Sequence, residues 1–419
     1  MTKTMLQLMA GMVLFTTCGP RAGSVSSAQE WTRFRGPNGQ GIGSGAAIPV
    51  TWTEGDYNWK AALPGVGHSS PVVWGDRVFV TSADQQANLL YVLALSASTG
   101  EEMWRKEYPV TPHALNRDNA YAAGTPAVDA ERLYVALPTD RETRVMALNH
   151  EGQEVWAKQV SGVSAFHGPA ISVMAVDGLV VFSLEQEARG TTDATPSVWL
   201  ALDAATGDVR WTCERGSGQV SYSTPCVYTP PDGPPQLLFS SCAHGLSGVE
   251  IATGKVLWDA GPVLPQRVVS SPVIAGDLLI GTCGQGGGGV RLVAIRPGSG
   301  EVVYETRGLQ APYVPTPLAV DDLLFVCHDR GDISCLVAAT GELLWAERPA
   351  GAFYASPVHV DGRLYCTTRD GEVVVLRASR TYELLAINRL GEPSSATPAI
   401  AGGRMYFRTL SRLVSVGGG

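Results

Sequence analysis

The sequence has no long hydrophobic run, no extended helical periodicity and no run of like charges, and each absence removes a class of protein. The one apolar stretch that stands out, residues 5–15, is too short to cross a bilayer stably. Charged residues make up 17% of the chain and the formal net charge is −8. Without a basic run, neither nucleic acid nor anionic lipid is expected as a partner.

Cysteine pairs with the spacing of metal or haem sites are missing as well. None of the 8 cysteines forms a Cys-x-x-Cys or an adjacent pair, so zinc binding and c-type haem attachment have no support. After Cys18, an odd number remains that cannot all pair, and most fall in predicted strands as small apolar residues. Cys327 and Cys335 flank one hairpin but are expected on opposite faces, and the disulfide state is left open.

What the chain does have is a phrase repeated at intervals of roughly 40 to 56 residues. It opens with a hydroxyl residue or glycine before proline, and it closes with a Thr-Gly-Glu-like turn followed by an aromatic residue. The openings are Ser70-Pro71, Thr125-Pro126, Gly168-Pro169, Thr224-Pro225, Ser271-Pro272, Thr316-Pro317, Ser356-Pro357 and Thr397-Pro398. Repeats of this length indicate an array in which each unit needs its neighbours to bury its faces.

Each unit is predicted to contain four short antiparallel strands. In the seventh unit, apolar alternating runs are separated by Asp361-Gly362 and Asp370-Gly371, the residue pair typical of type I′ hairpin turns. The partial eighth unit lacks an outer strand, and the segment around Trp59 can supply it. The sequence therefore predicts an all-β fold, an eight-bladed β-propeller of four-stranded antiparallel blades whose last blade is closed by an N-terminal strand.

The N-terminus predicts export. Residues 1–28 combine Lys3, the apolar stretch and the small residues Ser26-Ser27-Ala28 expected at a cleavage site, as in a secretory signal peptide. Lipidation at Cys18 is the alternative. Residues 29–49 are predicted to be an N-terminal extension and residues 50–419 the propeller. The mature chain is expected to be a periplasmic or secreted monomer without a transmembrane segment. If Cys18 is lipidated instead, the protein is expected to be anchored to the envelope.

The repeat resembles a known family. Residues 201–211, Ala-Leu-Asp-Ala-Ala-Thr-Gly-Asp-Val-Arg-Trp, resemble the tryptophan-docking signature of the pyrroloquinoline quinone (PQQ) repeat propellers. The resemblance implies that the aromatic residue of each closing packs between adjacent blades. The predicted docking set is Trp59, Trp104, Trp156, Trp211, Trp258, Tyr304 and Trp345. The Phe-Arg-Gly-Pro-Asn-Gly run at residues 34–39 also resembles the opening of secreted planctomycete-type PQQ-like repeat proteins.

This resemblance implies one of two functions. Quinoprotein alcohol and sugar dehydrogenases hold PQQ with a cation and a carboxylate base, whereas the propeller lipoprotein of the outer-membrane β-barrel assembly machinery binds partners without catalysis. The segments before each repeat opening, which are expected to line one mouth of the propeller, contain no Asp or Glu, with Asp118 and Glu392 just outside. A hard cation needs several oxygen ligands and the chemistry needs a base, so no cofactor and no metal is predicted.

The same mouth is the candidate binding site. A ring of hydroxyls, broken only at Gly168, is expected to hydrogen-bond to the backbone of neighbouring blades. Outside it lie aromatic and basic side chains, and such a concavity is the default ligand or peptide site. The candidates are His68, Tyr121, Phe166, His167, Tyr222, Arg267, Tyr313 and Tyr354, and Phe353 lies beside them. Two long connections, residues 105–124 and 185–197, are expected on this face.

These observations predict a non-catalytic binding scaffold of the periplasm or cell envelope that presents a propeller face to a protein or another envelope component. No catalytic residue is assigned. The alternative is a PQQ-dependent alcohol or sugar dehydrogenase, active or degenerate.

Overall fold

The computed structural model describes residues 30–45, 47–187, 196–216 and 218–418. The predicted signal peptide and Cys18 lie outside the described residues. Within those ranges, no helix has the length and apolar character needed to cross a membrane. No disulfide links any of the 7 described cysteines.

The described chain is built from 33 strands in eight sheets, which form the predicted eight-bladed propeller. The first two strands come from the N-terminal region and are β1 (Ile42–Gly43) and β2 (Tyr57–Ala62). Short 3-10 turns lie at Pro37–Gly39, Glu54–Asp56 and Gly308–Gln310.

Each blade places its first strand at the axis and its fourth at the perimeter. Blade one comprises β3 (Val72–Trp74), β4 (Arg77–Asp84), β5 (Leu89–Ser96) and β6 (Glu102–Pro109). Blade two comprises β7 (Ala127–Val128), β8 (Arg132–Pro138), β9 (Glu142–Asn149) and β10 (Glu154–Ser161). Blade three comprises β11 (Met174–Val176), β12 (Leu179–Leu184), β13 (Val198–Asp203) and β14 (Val209–Glu214). Blade four comprises β15 (Cys226–Tyr228), β16 (Gln236–Ser241), β17 (Gly245–Glu250) and β18 (Val256–Asp259).

The remaining blades follow the same order. Blade five comprises β19 (Val273–Ala275), β20 (Leu278–Gln285), β21 (Gly288–Ile295) and β22 (Val302–Thr306). Blade six comprises β23 (Leu318–Val320), β24 (Leu323–Cys327), β25 (Ile333–Val337) and β26 (Leu343–Glu347). Blade seven comprises β27 (Val358–Val360), β28 (Arg363–Thr367), β29 (Glu372–Arg377) and β30 (Leu384–Arg389). Blade eight comprises β31 (Ala399–Ala401), β32 (Arg404–Arg408) and β33 (Arg412–Gly417) with β2 at its outer edge.

The N-terminal strand closes the ring as predicted. β2 pairs antiparallel with β33, and Trp59 lies opposite Ser415. The Trp59 side chain is 8% exposed, and its indole nitrogen donates a hydrogen bond to the Ala97 carbonyl of blade one at 3.1 Å. Strands from the two ends of the chain therefore share blade eight and join it to blade one, which leaves no free edge between them.

The docking aromatics connect neighbouring blades. Six of them donate a side-chain hydrogen bond to a carbonyl of the next blade at 2.7–3.2 Å. These pairs are Trp59 with Ala97, Trp104 with His150, Trp156 with Ala204, Trp211 with Ile251, Tyr304 with Ala338, and Trp345 with Ser379. Most of the rings cover the turn glycine of that blade; a Cβ at Gly207, for example, would lie 2.5 Å from the Trp156 ring.

Trp258 departs from the predicted docking role. Its indole nitrogen donates to the Gln236 side chain of its own blade at 2.9 Å. Gly248 leaves room for the ring there, because a Cβ at that position would lie 2.1 Å from the indole nitrogen. The corresponding turn glycine, Gly300, instead faces the backbone of Ala260. The Trp258 indole therefore donates to a side chain of its own blade, where the other docking aromatics donate to a backbone carbonyl of the next blade.

The hydroxyl ring forms around the axis, with one position differing from the expectation. Seven bonds of 2.9–3.1 Å run from the backbone N–H of one ring residue to the hydroxyl of the next. The member from blade three is Ser172, whose hydroxyl accepts from the Thr125 N–H, and not Gly168. The predicted repeat opening at Gly168-Pro169 is therefore wrong, because Ser172 is followed by Val173 and the repeat phrase lacks its proline there.

Residues 31–43, hereafter the N-terminal segment, lie in the axial channel, which sequence reasoning missed. Trp31 exchanges two 2.9 Å backbone bonds with Val73 of β3, and Asn38 exchanges two 2.7 Å bonds with Val227 of β15. β1 pairs parallel with β27. The innermost strands present unpaired backbone groups to the axis, and this segment satisfies several of them.

Candidate functional site

The mouth cavity occupies the centre of the face on which the second and third strands of each blade are joined. Its volume is about 650 Å³. The hydroxyl ring forms part of its wall, and Phe34 of the N-terminal segment also lines it. Because that segment fills the axis below the hydroxyl ring, the cavity is a cup that opens toward the mouth face, and its floor is contributed by residues that the repeat does not include.

Five of the eight candidate mouth residues lie together in this cavity: His68, His167, Tyr222, Tyr313 and Tyr354. They reach it from the connections that precede the innermost strands of blades one, three, four, six and seven. The Tyr222 hydroxyl donates to the Gly168 carbonyl at 3.0 Å, which fixes the ring across two blades.

The structure places the other three candidates elsewhere. Tyr121 packs against His113 with tilted rings whose centroids are 4.8 Å apart, and it lines a separate cleft beside β6 and β9. Phe166 is 70% exposed and projects from the mouth face. Arg267 forms an ion pair with Glu187 and contacts the Tyr313 hydroxyl at 3.5 Å, so it stands behind the cavity wall.

The first of the two predicted long connections covers part of the mouth. Its first five residues belong to β6, and the loop proper, residues 110–124, is called the strap here. The Asn119 side chain donates to the His167 carbonyl at 2.8 Å, and Asp118 accepts from Arg369 of blade seven at 2.7 Å. The strap therefore bridges blades one, three and seven. The second connection, residues 185–197, lies partly outside the described residues.

Two carboxylates line the cavity, which corrects the expectation that the mouth has none. Asp118 comes from the strap, and Asp329 comes from the hairpin between β24 and β25. Asp329 and its neighbour across the mouth, Arg369, lie outside the segments that precede the repeat openings, in the hairpins between the second and third strands of blades six and seven. Their hairpins open on the mouth face and turn their side chains toward the axis. The signal that could have found them is that Asp329 and Arg369 occupy matching hairpins of neighbouring repeats.

The two carboxylates already have partners. The Asp329 carboxylate is 5% exposed and accepts hydrogen bonds from the backbone N–H groups of Tyr313 at 2.7 Å and Val314 at 2.9 Å. Burial raises the pKa of Asp329 above its ordinary value. Asp118 pairs with Arg369, whose guanidinium lies 4.1 Å from the centre of the Tyr354 ring.

The two histidines of the cavity stay neutral. Burial, with the nearby Arg408 and Arg369 guanidiniums, lowers the pKa of His68 to about 4. Burial, followed by the charge of Arg267, also lowers the pKa of His167. At neutral pH the mouth cavity thus offers uncharged imidazoles, phenols and hydroxyls around the Arg369–Asp118 pair, with Asp329 and Arg117 also on its lining.

This donor set does not fit the cation of a quinone site. No three His, Cys, Asp or Glu side chains come together as a metal-binding group in the part of the chain that the structure describes. A hard cation needs several free oxygen ligands. Here Asp118 is paired with arginine and Asp329 is held by two amides.

Fold and site together define a PQQ-repeat β-propeller with a polar and aromatic mouth. The family model described as outer membrane protein assembly factor BamB matches residues 42–109, 90–307 and 291–417, and the chain belongs to this family.

Individual relatives are distant and differ in function. Tetrathionate hydrolase of Acidithiobacillus ferrooxidans is 24% identical over 280 residues, which are 62% of this chain but only 50% of that protein, so the chain spans about half its length. Outer membrane protein assembly factor BamB of Yersinia pestis is 21% identical over 362 residues, 82% of this chain and 74% of that protein. A solved europium-containing methanol dehydrogenase superposes with a TM-score of 0.67 at 12% identity, covering 93% of this chain and 89% of that one, and shows the fold alone.

Proposed function

We propose that this chain is a monomeric, non-catalytic binding scaffold of the periplasm or cell envelope, and that its mouth face receives a protein or another envelope partner. Membership of the BamB family supports a partner-binding role. The observation that carries the proposal is the mouth cavity itself: a one-ended, aromatic and polar cup whose charged groups are already paired.

Such a surface suits recognition better than chemistry. Interface energy concentrates in a few aromatic or Arg anchors set in pockets, and Tyr354 under Arg369 has that composition. Phe166 is a large apolar side chain left 70% exposed on the same face. A general base works best with a pKa near the working pH, whereas the cavity carboxylates are held by hydrogen bonds and burial lowers the pKa of His68 to about 4.

The proposal is tested with a double variant, Phe166→Ala with Tyr354→Ala. Each anchor is worth about 2 kcal/mol or more when truncated, so one substitution alone should weaken capture of the native partner about thirtyfold and the additive pair by roughly several hundredfold. Co-purification after crosslinking in the native host, with quantification of the captured proteins and glycans, measures this. Tyr222→Ala is avoided because its hydroxyl holds the Gly168 carbonyl.

The matched control shortens residues 229–235, the β15–β16 hairpin on the opposite face. That variant should capture as the wild type does. Loss of capture in the hairpin variant, with normal capture by the double variant, would place the working surface on the other face.

The same proposal assigns residues 1–28 to a cleaved signal peptide. Mass spectrometry of the exported protein should find Gln29 at its N-terminus. A diacylglyceryl group on Cys18 would instead show a lipid-anchored form.

The quinoprotein alternative has the resemblance to a dehydrogenase fold in its favour and the donor set against it. We propose that PQQ and Ca²⁺ do not bind tightly. A ligand at a hundredfold excess over its dissociation constant stabilises by about 2.7 kcal/mol. Adding both should leave the melting temperature unchanged and give no dye-linked oxidation of alcohols or sugars. An upward shift that requires both together would overturn the scaffold assignment.

A further inference from the structure

The mouth cavity contains polar groups that the fold itself leaves unused. The ring nitrogens of His68 and His167 and the Tyr354 hydroxyl have no hydrogen-bond partner among the described residues, and all three residues line the cavity. Asn116 accepts a bond from the Asp118 N–H at 3.1 Å through its side-chain oxygen, and its amide nitrogen has no partner within the described chain. These groups lie around an open volume of about 650 Å³, so a ligand has room to reach them.

Most of these groups can both donate and accept a hydrogen bond. A neutral imidazole has one donor and one acceptor nitrogen, and a phenol hydroxyl does both. Burial lowers the pKa of His68 to about 4 and also lowers that of His167, so both rings are neutral at pH 7. Ring hydroxyls on the cavity wall, such as those of Ser356 and Thr397, accept a backbone N–H bond and keep their own protons to donate. A ligand rich in hydroxyl groups, which also donate and accept, satisfies such a wall.

The charges of the cavity are balanced and already engaged. Its lining contains two arginines and two aspartates, namely Arg117, Arg369, Asp118 and Asp329. Asp118 lies 2.7 Å from Arg369 and 3.7 Å from Arg117. Asp329 accepts two backbone N–H bonds. An ionised ligand would lose its hydration on entering and would have to break one of these interactions to gain an opposite charge. The cavity therefore favours an uncharged ligand.

We propose that the mouth cavity binds the end of a neutral glycan. The sugar hydroxyls exchange hydrogen bonds with the imidazoles, the phenol and the ring hydroxyls, and the C–H faces of the sugar rings pack on tyrosine rings. Tyr222, Tyr313 and Tyr354 supply three such rings around the cavity. A glycan end is one form of the envelope partner proposed above, so this assignment rests on that proposed function.

The shape of the cavity favours a glycan end over a peptide strand. Phe34 and the rest of the N-terminal segment close the floor, so a polymer can enter only by its terminus. Backbone N–H groups around the axis already donate to ring hydroxyls at 2.9–3.1 Å, so the described part of the cavity wall offers no free strand edge to which a peptide strand could add. On the side of blade five, Gly286 and Gly287 line the cavity, and a Cβ at either would have no atom within 4 Å. This bare backbone leaves space for a bulky sugar ring.

The first test applies the full mature protein to a microarray of neutral oligosaccharides of glucose, galactose, mannose, xylose and N-acetylglucosamine, with oligogalacturonates as acidic probes. Calorimetry then measures the affinity for each oligosaccharide that binds. At least one neutral oligosaccharide should bind, with the same affinity at low and at high salt because no ion pair is formed. Binding to none of the neutral probes, binding to the acidic probes alone, or an affinity that falls with salt would overturn the proposal.

Tyr354→Ala locates the site, and Tyr108→Ala is the matched control. Both tyrosines lie beside an arginine, since the Arg369 guanidinium is 4.1 Å from the Tyr354 ring centre and the Arg144 guanidinium is 5.5 Å from that of Tyr108. Tyr108, however, lines the separate cleft beside β6 and β9. Tyr354→Ala should weaken binding of the neutral oligosaccharide about tenfold or more through the lost ring contact, and Tyr108→Ala should bind as the wild type does. Unchanged affinity in Tyr354→Ala would contradict the site.

Tyr354→Phe decides the question if Tyr354→Ala does not fold. The phenylalanine keeps the ring and its packing and removes only the hydroxyl, so binding should weaken about fivefold. Unchanged affinity in this variant would show that the Tyr354 hydroxyl does not meet the glycan, against the proposal.

Phe166→Ala separates the glycan assignment from the proposed function. Phe166 lies outside the cavity lining and is 70% exposed, so its loss should leave the affinity for the oligosaccharide unchanged. If no oligosaccharide binds while Phe166→Ala with Tyr354→Ala still loses the native partner, the glycan assignment fails and the mouth face remains the binding surface. If an oligosaccharide binds the wild type and Tyr354→Ala equally and the double variant captures normally, both assignments are wrong.

Discussion

Single glycines decide how closely the blades pack. Gly207 adopts φ +73°, and a Cβ there would lie 2.5 Å from the Trp156 ring. Gly178 adopts the same φ of +73°, but a Cβ at that position would have no neighbouring atom within 4 Å. The two glycines therefore share the same φ, and they differ in that an indole ring packs on Gly207 and nothing in the described chain packs on Gly178.

This pair gives a direct test of the docking arrangement. Gly178→Ala should cost about 1–2 kcal/mol of unfolding free energy through left-handed backbone strain alone. Gly207→Ala should cost about 1–3 kcal/mol more, because the methyl group must displace the indole. Denaturant unfolding of both variants measures the difference, and equal losses would show that the ring does not depend on the glycine.

His68 predicts acid sensitivity. Its pKa is lowered to about 4 in the folded protein, against an ordinary value of about 6.5 in the unfolded chain. As the pH falls, the unfolded state binds the proton before the folded state does. His68 therefore leaves the free energy of unfolding at its full value above pH 6.5 and lowers it between pH 6.5 and 4, by at most about 1.4 kcal/mol per pH unit. His68→Gln should show a shallower loss of unfolding free energy across this window, and an unchanged profile would exclude His68 as a source.

The sequence predicts which residues lie near the mouth, but it does not predict the direction in which each side chain points. His68, Tyr222 and Tyr354 lie in the cavity because they precede innermost strands, a position that the repeat fixes. Tyr121 occupies a similar position in the sequence, yet the strap turns it into a neighbouring cleft. Asp329 lies in a hairpin, where Asp is a common turn residue, and its place on the cavity lining depends on how that hairpin packs in the folded propeller.

At the scale of elements, the N-terminal strand carries the closure. Trp59→Ala should cost about 3–5 kcal/mol, the range for removing a buried large aromatic side chain. Trp258→Ala is the matched control, since it occupies the same repeat position but bonds within its own blade. It should cost clearly less. Similar unfolding free energies for the two variants would contradict the account of closure through β2.

The strands and their pairing followed from local signals. Asp361 and Gly362 adopt φ of 53° and 71°, as the type I′ turn predicted from Asp-Gly requires. The N-terminal segment has no such local signal. Its own sequence shows no periodicity, and its partners are strands far along the chain. Its hydrogen bond from Asn38 spans 189 residues to Val227, a contact that no local pattern encodes.

For the whole molecule, the N-terminal segment makes the two faces different. One end of the axis is filled by residues 31–43, and the other is the mouth cavity with the strap and Phe166 around it. We therefore expect partners to bind on the mouth face alone.

Site-specific photo-crosslinking in the native host tests this claim most directly. A photoreactive amino acid at Phe166 on the mouth face is compared with one at Asp232, in the β15–β16 hairpin on the opposite face, and crosslinked partners are identified by mass spectrometry. We expect a discrete, reproducible adduct from position 166 that Tyr354→Ala diminishes, and none from position 232. Adducts from position 232 alone would contradict it.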